Sequence, residues 1–156
     1  MAKYQSGPKR RVERVTSIII DTAVSDSAEV FTLHTCEDSK TLIRAMADIS
    51  ISPIDTAMAT TVYYQGMLAI SPAGTGIGSP VTTQALDSPT SLQEIGRWSA
   101  DAGQNDTNGW IWCDKVQFDT KAQRKLREAD TVVWKHVAST ANDLRARGVI
   151  YLWFKE

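Results

Sequence analysis

From Lys40 to Ser52 the chain alternates between apolar and polar residues with hardly a break. Ile43, Ala45, Ala47, Ile49 and Ile51 fall on one side of a period-two pattern, and Arg44, Asp48, Ser50 and Ser52 on the other. Successive side chains of an extended chain point to opposite faces, whereas a helix would scatter these positions around its axis. The pattern therefore predicts one long strand with one buried face. At about 3.3 Å per residue such a strand crosses an entire β layer, so the rest of the chain has to supply partners of similar length.

It does. Val15 to Ala23 is rich in β-branched residues and ends at the turn-like Ser25-Asp26-Ser27, and Val30 to Thr35 follows before the polar turn Cys36 to Ser39. Pro53 to Met58 reads as a connector. Ala59 to Ser71 alternates again, with Val62, Tyr64, Gly66, Leu68 and Ile70 together. Trp110 to Ala122, Thr131 to Ala138 and Val149 to Lys155 complete the strands, separated by the charged turn Arg124 to Asp130 and by Ser139 to Gly148. Pro72 to Asp87 is dense in Gly, Pro and Thr and predicts an irregular excursion. After it Ser88 can cap a short helix, with Pro89 at its first position and Leu92 and Ile95 on one face. Asp101 to Gly109 is a loop by composition. Seven or eight strands joined by long crossings rather than two-residue hairpins suit a two-sheet Greek key. The expected fold is all-β: a single eight-stranded jelly-roll sandwich with one short helix.

Charge divides the chain in two. Lys3, Lys9, Arg10, Arg11 and Arg14 against Glu13 give residues 1–14 a net +4, so the −1 of the whole chain leaves −5 for the remainder. The expected organisation is a flexible basic arm, residues 1–14, followed by one domain, residues 15–156. Behind the arm's charges there is no apolar stretch of the kind a secretory signal carries, and the apolar runs are too short to span a membrane as helices. A basic arm next to a compact β domain points to phosphates as partners, because Lys and Arg that neutralise phosphates release condensed counterions without base recognition. A second basic group, Lys121, Arg124, Lys125 and Arg127, extends the candidate binding set. If the strand continued, Lys115, Lys121 and Lys125 would share one face, opposite Val116, Phe118 and Ala122.

Residues with reactive chemistry make no constellation in the sequence. Gly74-Thr75-Gly76-Ile77-Gly78 lacks the Lys-Ser/Thr ending of a phosphate loop, and Pro80 follows where a helix should open. His34 and Cys36 share a parity, but zinc sites need three or four ligands. Cys36 and Cys113 read as buried thiols. Asp21, Asp26, Glu29, Glu37 and Asp38 could crowd one rim but lack calcium-loop spacing. No cofactor, metal or catalytic residue is expected. Trp110 with Trp112, and Tyr151 with Trp153, share faces and read as core or subunit contact.

Val116 to Val133, with its basic turn Arg124-Lys125-Leu126-Arg127 between strands, resembles the late strands of capsid proteins from small circular single-stranded DNA viruses. Thr41 to Ser50 fits an early sheet strand of that family, and Val149 to Phe154 fits its last. Ala129-Asp130 stands where Gly-Asp is usual, and the basic arm is shorter than in those proteins. The resemblance implies a non-enzymatic coat subunit that assembles with its own copies into a small icosahedral shell around nucleic acid. It further implies single-stranded DNA as the packaged partner, a place in the virion, and passage through a host nucleus during assembly. Two other readings stay open from the residues alone: a non-viral β-sandwich binding module of lectin or receptor-binding type, and a single-strand nucleic-acid-binding protein.

Overall fold

Alternation becomes two antiparallel sheets in the computed structural model, which describes residues 12–54, 63–73, 92–101, 112–118, 124–139 and 144–155. The strands are β1 (Val12–Ala23), β2 (Glu29–Thr35), β3 (Lys40–Pro53), β4 (Tyr63–Ser71), β5 (Gln93–Asp101), β6 (Trp112–Phe118), β7 (Arg124–Leu126), β8 (Thr131–Ala138) and β9 (Leu144–Lys155). One sheet runs β1-β9-β3-β6 with the short β7 also paired to β3, and the other runs β2-β8-β4-β5. The chain crosses from sheet to sheet at nearly every connection, and its last strand lies between its first and third. That order is the double Greek key of a jelly roll.

Between the sheets lies one continuous core. β3 contributes Leu42, Ala45, Ala47, Ile49 and Ile51, β9 contributes Leu144, Ala146, Ile150, Leu152 and Phe154, and the facing sheet answers with Tyr64, Leu68, Ile70, Trp98, Val132 and Trp134. The alternation predicted for β3 holds from Ala45 onward. Ile43 departs from it, because the pairing with β9 shifts between Leu42 and Arg44. This extra residue is a β-bulge, which sends Leu42 rather than Ile43 into the core. For β4 the expected grouping of Tyr64, Gly66, Leu68 and Ile70 is observed, while Val62 lies outside the described residues.

Several assignments differ from expectation. β9 begins at Leu144, five residues before the predicted start, because Leu144 and Ala146 find inward positions opposite Pro53 and Ile51 of β3. Gly148, which reads as turn punctuation, sits in mid-strand opposite Ile49, where a β-carbon would overlap the backbone of Asp48. From Gln93 the chain is strand β5, paired along β4, so Ile95 faces the main core from a sheet. Leu92 packs in a separate cluster with Ala28, Met67, Ala69, Val133 and Val137. Capping residues mark where a helix can begin, but a whole ladder to β4 outweighs them. The proposed cap at Ser88 and Pro89 lies outside the described residues.

The two sheets differ in burial. Val132 to Ala138 of β8 are buried on both faces, as are Met67 to Ser71 of β4. In the β1-β9-β3 sheet only the inward face is closed. Along β9 buried and partly exposed residues alternate, with Tyr151 and Trp153 outward and Ile150, Leu152 and Phe154 inward.

A buried polar chain crosses the core at its wettest edge. Trp134 Nε1–H donates to the Tyr64 hydroxyl at 3.2 Å, and that hydroxyl lies 3.1 Å from His136 Nδ1. His136 Nε2 lies 3.1 Å from Glu29 Oε2, which reaches solvent. One tautomer satisfies the whole series, with Tyr64 O–H donating to Nδ1 and Nε2–H donating to the carboxylate. Burial pushes the Tyr64 hydroxyl well above its ordinary pKa, so it stays a donor.

Gly66 pairs with His136 on one side and Trp98 on the other, and the Trp134 indole occupies the space a side chain would take there. Gly66→Ala should therefore push the indole off its position and destabilise the fold by about 1–3 kcal/mol, as in other overpacked cores, read as a lower urea midpoint. An unchanged midpoint would show that the indole has room to move.

Candidate nucleic-acid interface

Basic residues gather at the end of the open sheet where β1 begins. Lys155 of β9 pairs in register with Val12 on one side and with Thr41 of β3 on the other, and Thr41 pairs in turn with Lys125 of β7. Four strands thus place Val12, Lys155, Thr41 and Lys125 in one row. The row spans three strand spacings, about 14 Å. The basic segment read from the sequence joins the sheet at Val12, so the strand register brings its attachment point beside the second basic group.

The sequence-predicted residues divide as follows. Lys3, Lys9, Arg10, Arg11 and Lys121 lie outside the described residues. Arg14 is within β1, opposite Trp153, since β1 starts at Val12 rather than at the expected Val15. Lys125 and Arg127 are exposed and share a cleft of about 340 Å³ with Ser39, Lys40 and Thr41. A second hollow of about 300 Å³ lies on the other side of the same two cations, against Pro72, Ala73, Gln93 and Asp130. Arg124 behaves differently. Its position opposite buried Leu42 gives it inward parity, and its Nη2 donates to the Glu94 carbonyl of β5 at 3.3 Å while its Nε is buried without a hydrogen bond. Through this hydrogen bond it bridges the two sheets.

The shared face of Lys115, Lys121 and Lys125 was expected from one uninterrupted strand. Instead β6 pairs with β3 over Ala45 to Ile51 and β7 pairs with it over Lys40 to Leu42. Lys115 falls opposite Asp48 in mid-sheet and Lys125 opposite Thr41 at the sheet end, so these two positions share a face although the strand is broken between them. Sequence reasoning missed Lys40, Lys155 and Arg44 as members of the basic surface. Their signal was weak, since each is a single cation on a strand. Lys40 lies 3.4 Å from the Asp38 carboxylate and its side chain is only 10% exposed. Arg44 stacks over the Trp153 ring with its guanidinium carbon 4.7 Å from the centroid.

A rigid turn holds Arg127 beside Lys125. The Asp130 carboxylate accepts the Arg127 N–H at 2.7 Å through one oxygen and the Ala73 N–H at 2.8 Å through the other. Asp130 N–H donates back to the Arg127 carbonyl, and the Cys36 backbone bonds to both Ala129 and Asp130. Ala129 adopts φ 66°, the left-handed region that favours glycine. Here alanine occupies the strained position.

Three of the acids that might have crowded one rim, Asp21, Glu29 and Asp38, have separate partners. Asp21 accepts from Arg145 at 2.7 Å and from Arg147 at 3.2 Å, and the Arg145 hydrogen bond leads in holding its carboxyl below the usual range. Glu29 meets His136 and Asp38 meets Lys40. Among the described residues no three of His, Cys, Asp and Glu converge as metal ligands would. His34 tilts against Phe154 with ring centroids 4.8 Å apart. Cys36 is buried, and burial pushes its thiol up; the side chain of Cys113 is not among those described.

No protein-family model matches this chain, and no curated protein matches it. Similar chains occur among solved structures. One belongs to the structure of infectious bursal disease virus Gt strain, at 10% identity and TM-score 0.36, and another to the Gx strain of the same virus, at 13% identity and TM-score 0.38. Each match covers 94% of this chain and 32% of the other, so this chain spans about a third of the chains it matches. The virus is a double-stranded RNA virus and not a member of the circular single-stranded DNA group. These are distant likenesses, and the functional reading below rests on this chain's own residues.

Ala129→Gly should relieve the left-handed strain and raise the unfolding midpoint. The gain expected is roughly 0.5–1 kcal/mol, the strain relieved less the added freedom of the unfolded chain. A fall in the midpoint would show that the Ala129 methyl is held by packing.

Proposed function

We propose that this chain is a structural coat subunit: a jelly roll that assembles with identical copies into a closed icosahedral shell around nucleic acid. The observation that carries the proposal is the meeting, at one end of one sheet, of two basic groups distant in sequence. The segment ending at Arg11 joins the sheet at Val12, beside Lys155 and in the same row as Lys125, with Arg127 adjoining. Exposed cations contribute little to stability, since isolated surface pairs are worth about 0–1 kcal/mol. Gathering them at one edge makes sense as a surface for a polyanion, which they bind by counterion release.

The jelly roll itself favours tiling. Edge strands β2 and β5 of one sheet and β1 and β6 of the other each have a side with no strand partner among the described residues, which contact between copies can cover. Rotational closure of such heterologous contacts gives a shell rather than a filament. In this reading Lys3, Lys9, Arg10, Arg11, Arg14, Lys121, Lys125 and Arg127 contact phosphates, Arg124 holds the turn that presents two of them, and the role is structural rather than catalytic. Single-stranded DNA, a virion location and a nuclear stage follow from the sequence resemblance and belong to the proposal.

Electron microscopy of the purified chain, with absorbance of the particles at nucleic-acid wavelengths, tests it. Shells containing nucleic acid are expected, with nuclease type distinguishing DNA from RNA. Deleting residues 1–11, which spares β1, should keep the β circular-dichroism spectrum while lowering the nucleic acid per particle. A persistent monomer at every salt concentration would overturn the shell; unchanged nucleic-acid content would remove the arm from it.

A further inference from the structure

The open face of the β1-β9-β3 sheet carries large apolar side chains where an ordinary solvated face would carry polar ones. Tyr151 and Trp153 lie two residues apart on β9, with ring centroids 6.1 Å apart and planes inclined by 33°. Both are partly exposed, and Met46 of β3 is paired opposite Tyr151. Farther along, Ile19 of β1 is 73% exposed, turned outward by a register shift between Thr16 and Ile19 that leaves Ile20 in the core. In the opposite sheet Met67 to Ser71 of β4 and Val132 to Ala138 of β8 are buried on both sides.

We propose that this face is a stacking platform for single-stranded nucleic acid, with bases resting on Trp153 and Tyr151 and phosphates on Arg44, Lys155 and Lys125. The inference deepens the coat-subunit reading and rests on it. Three observations select this occupant. Aromatics two apart on a strand present successive π faces outward, a geometry by which sheets take up unpaired bases without reading sequence. The Arg44 guanidinium already lies over Trp153 at 4.7 Å, a planar cation able to stack on a base and pair with a phosphate at once. The sheet row next to Trp153 contains Lys155 and Lys125, so a strand held by the basic end is led directly onto the aromatics.

Charge argues against a second copy of the chain as the occupant. The described charged side chains of this face are Arg44, Lys125, Arg145, Arg147 and Lys155 against Asp21 and Asp48, and Asp21 is already shared by two arginines. A twofold contact through this face would set like charges against each other, whereas a polyanion meets them all with the opposite sign.

The test uses the full-length chain and a thymidine oligomer. With 5-bromodeoxyuridine in the oligomer, photocrosslinks on the wild-type protein are expected in the peptide holding Tyr151 and Trp153. Trp153→Leu, which keeps an apolar strand residue, should weaken oligomer binding about tenfold or more and leave its salt dependence unchanged. Lys125→Ala and Lys155→Ala should each reduce the salt slope by about 0.7. Crosslinks confined to residues 1–11, or Trp153→Leu binding as tightly as wild type, would overturn the platform while leaving the arm and the shell standing. A Trp153→Leu chain that loses self-association but keeps oligomer affinity would overturn it too, marking the face as a contact between copies. Absence of any oligomer binding by the wild-type chain would defeat this inference together with the nucleic-acid part of the proposed function. Should Trp153→Leu fail to fold by circular dichroism, the wild-type crosslink map decides alone.

Discussion

Everything in this fold depends on the insertion of β9 between β1 and β3. Twelve residues from the end of the chain pair on one side with Val12 to Ala23 and on the other with Thr41 to Pro53. Backbone groups buried in a sheet must find partners, and leaving them unmade costs far more than making them gains. Until β9 arrives, β1 has no neighbour in its own sheet and β3 has an open edge. The inward side chains of all three strands then have no closed layer to pack against. Pairing of this kind joins residues about ninety or more apart, which predicts slow, cooperative folding with little stable structure before these distant segments meet.

The same insertion creates the candidate surface. β9 brings Lys155 beside the start of β1 and, through Thr41, into line with Lys125 of β7. It also carries Tyr151 and Trp153 outward in the middle of the open sheet. Small residues make the close approach possible: Gly148 lies against the backbone of β3, and Gly66 in the other sheet leaves room for the Trp134 indole. The middle strands of one sheet are buried on both faces over Met67 to Ser71 and Val132 to Ala138, whereas β3 and β9 of the other are closed on the inward face only. This asymmetry leaves the molecule one broad face that carries both cations and aromatic rings.

Most strands were legible in advance because period two is a local signal. β8 matches its predicted span, and β3 and β4 contain their predicted alternations. The misread segments share a cause: their strand character comes from partners distant in sequence. Leu144 to Gly148 has small inward residues and a glycine, which look like a connection until β3 lies alongside. Gln93 to Asp101 follows good helix-capping residues but is held by β4. Ile43 was assigned to the core because a one-residue bulge has no signature in the alternation that it interrupts.

The candidate site divides along the same line. Composition alone established that the chain has a basic start and a second cluster around Arg124 to Arg127, because charge is a property of each residue wherever it lies. Which cations act together is a matter of strand register, which depends on hydrogen bonds between segments far apart in the chain. Only the tertiary structure could bring the start of β1, Lys155 and Lys125 into one row, turn Arg124 inward to bridge the sheets, and set Arg44 over Trp153. The alternating pattern determined that this chain forms β layers with a covered side. The threading of its last strand decided which side stays open and what that side holds.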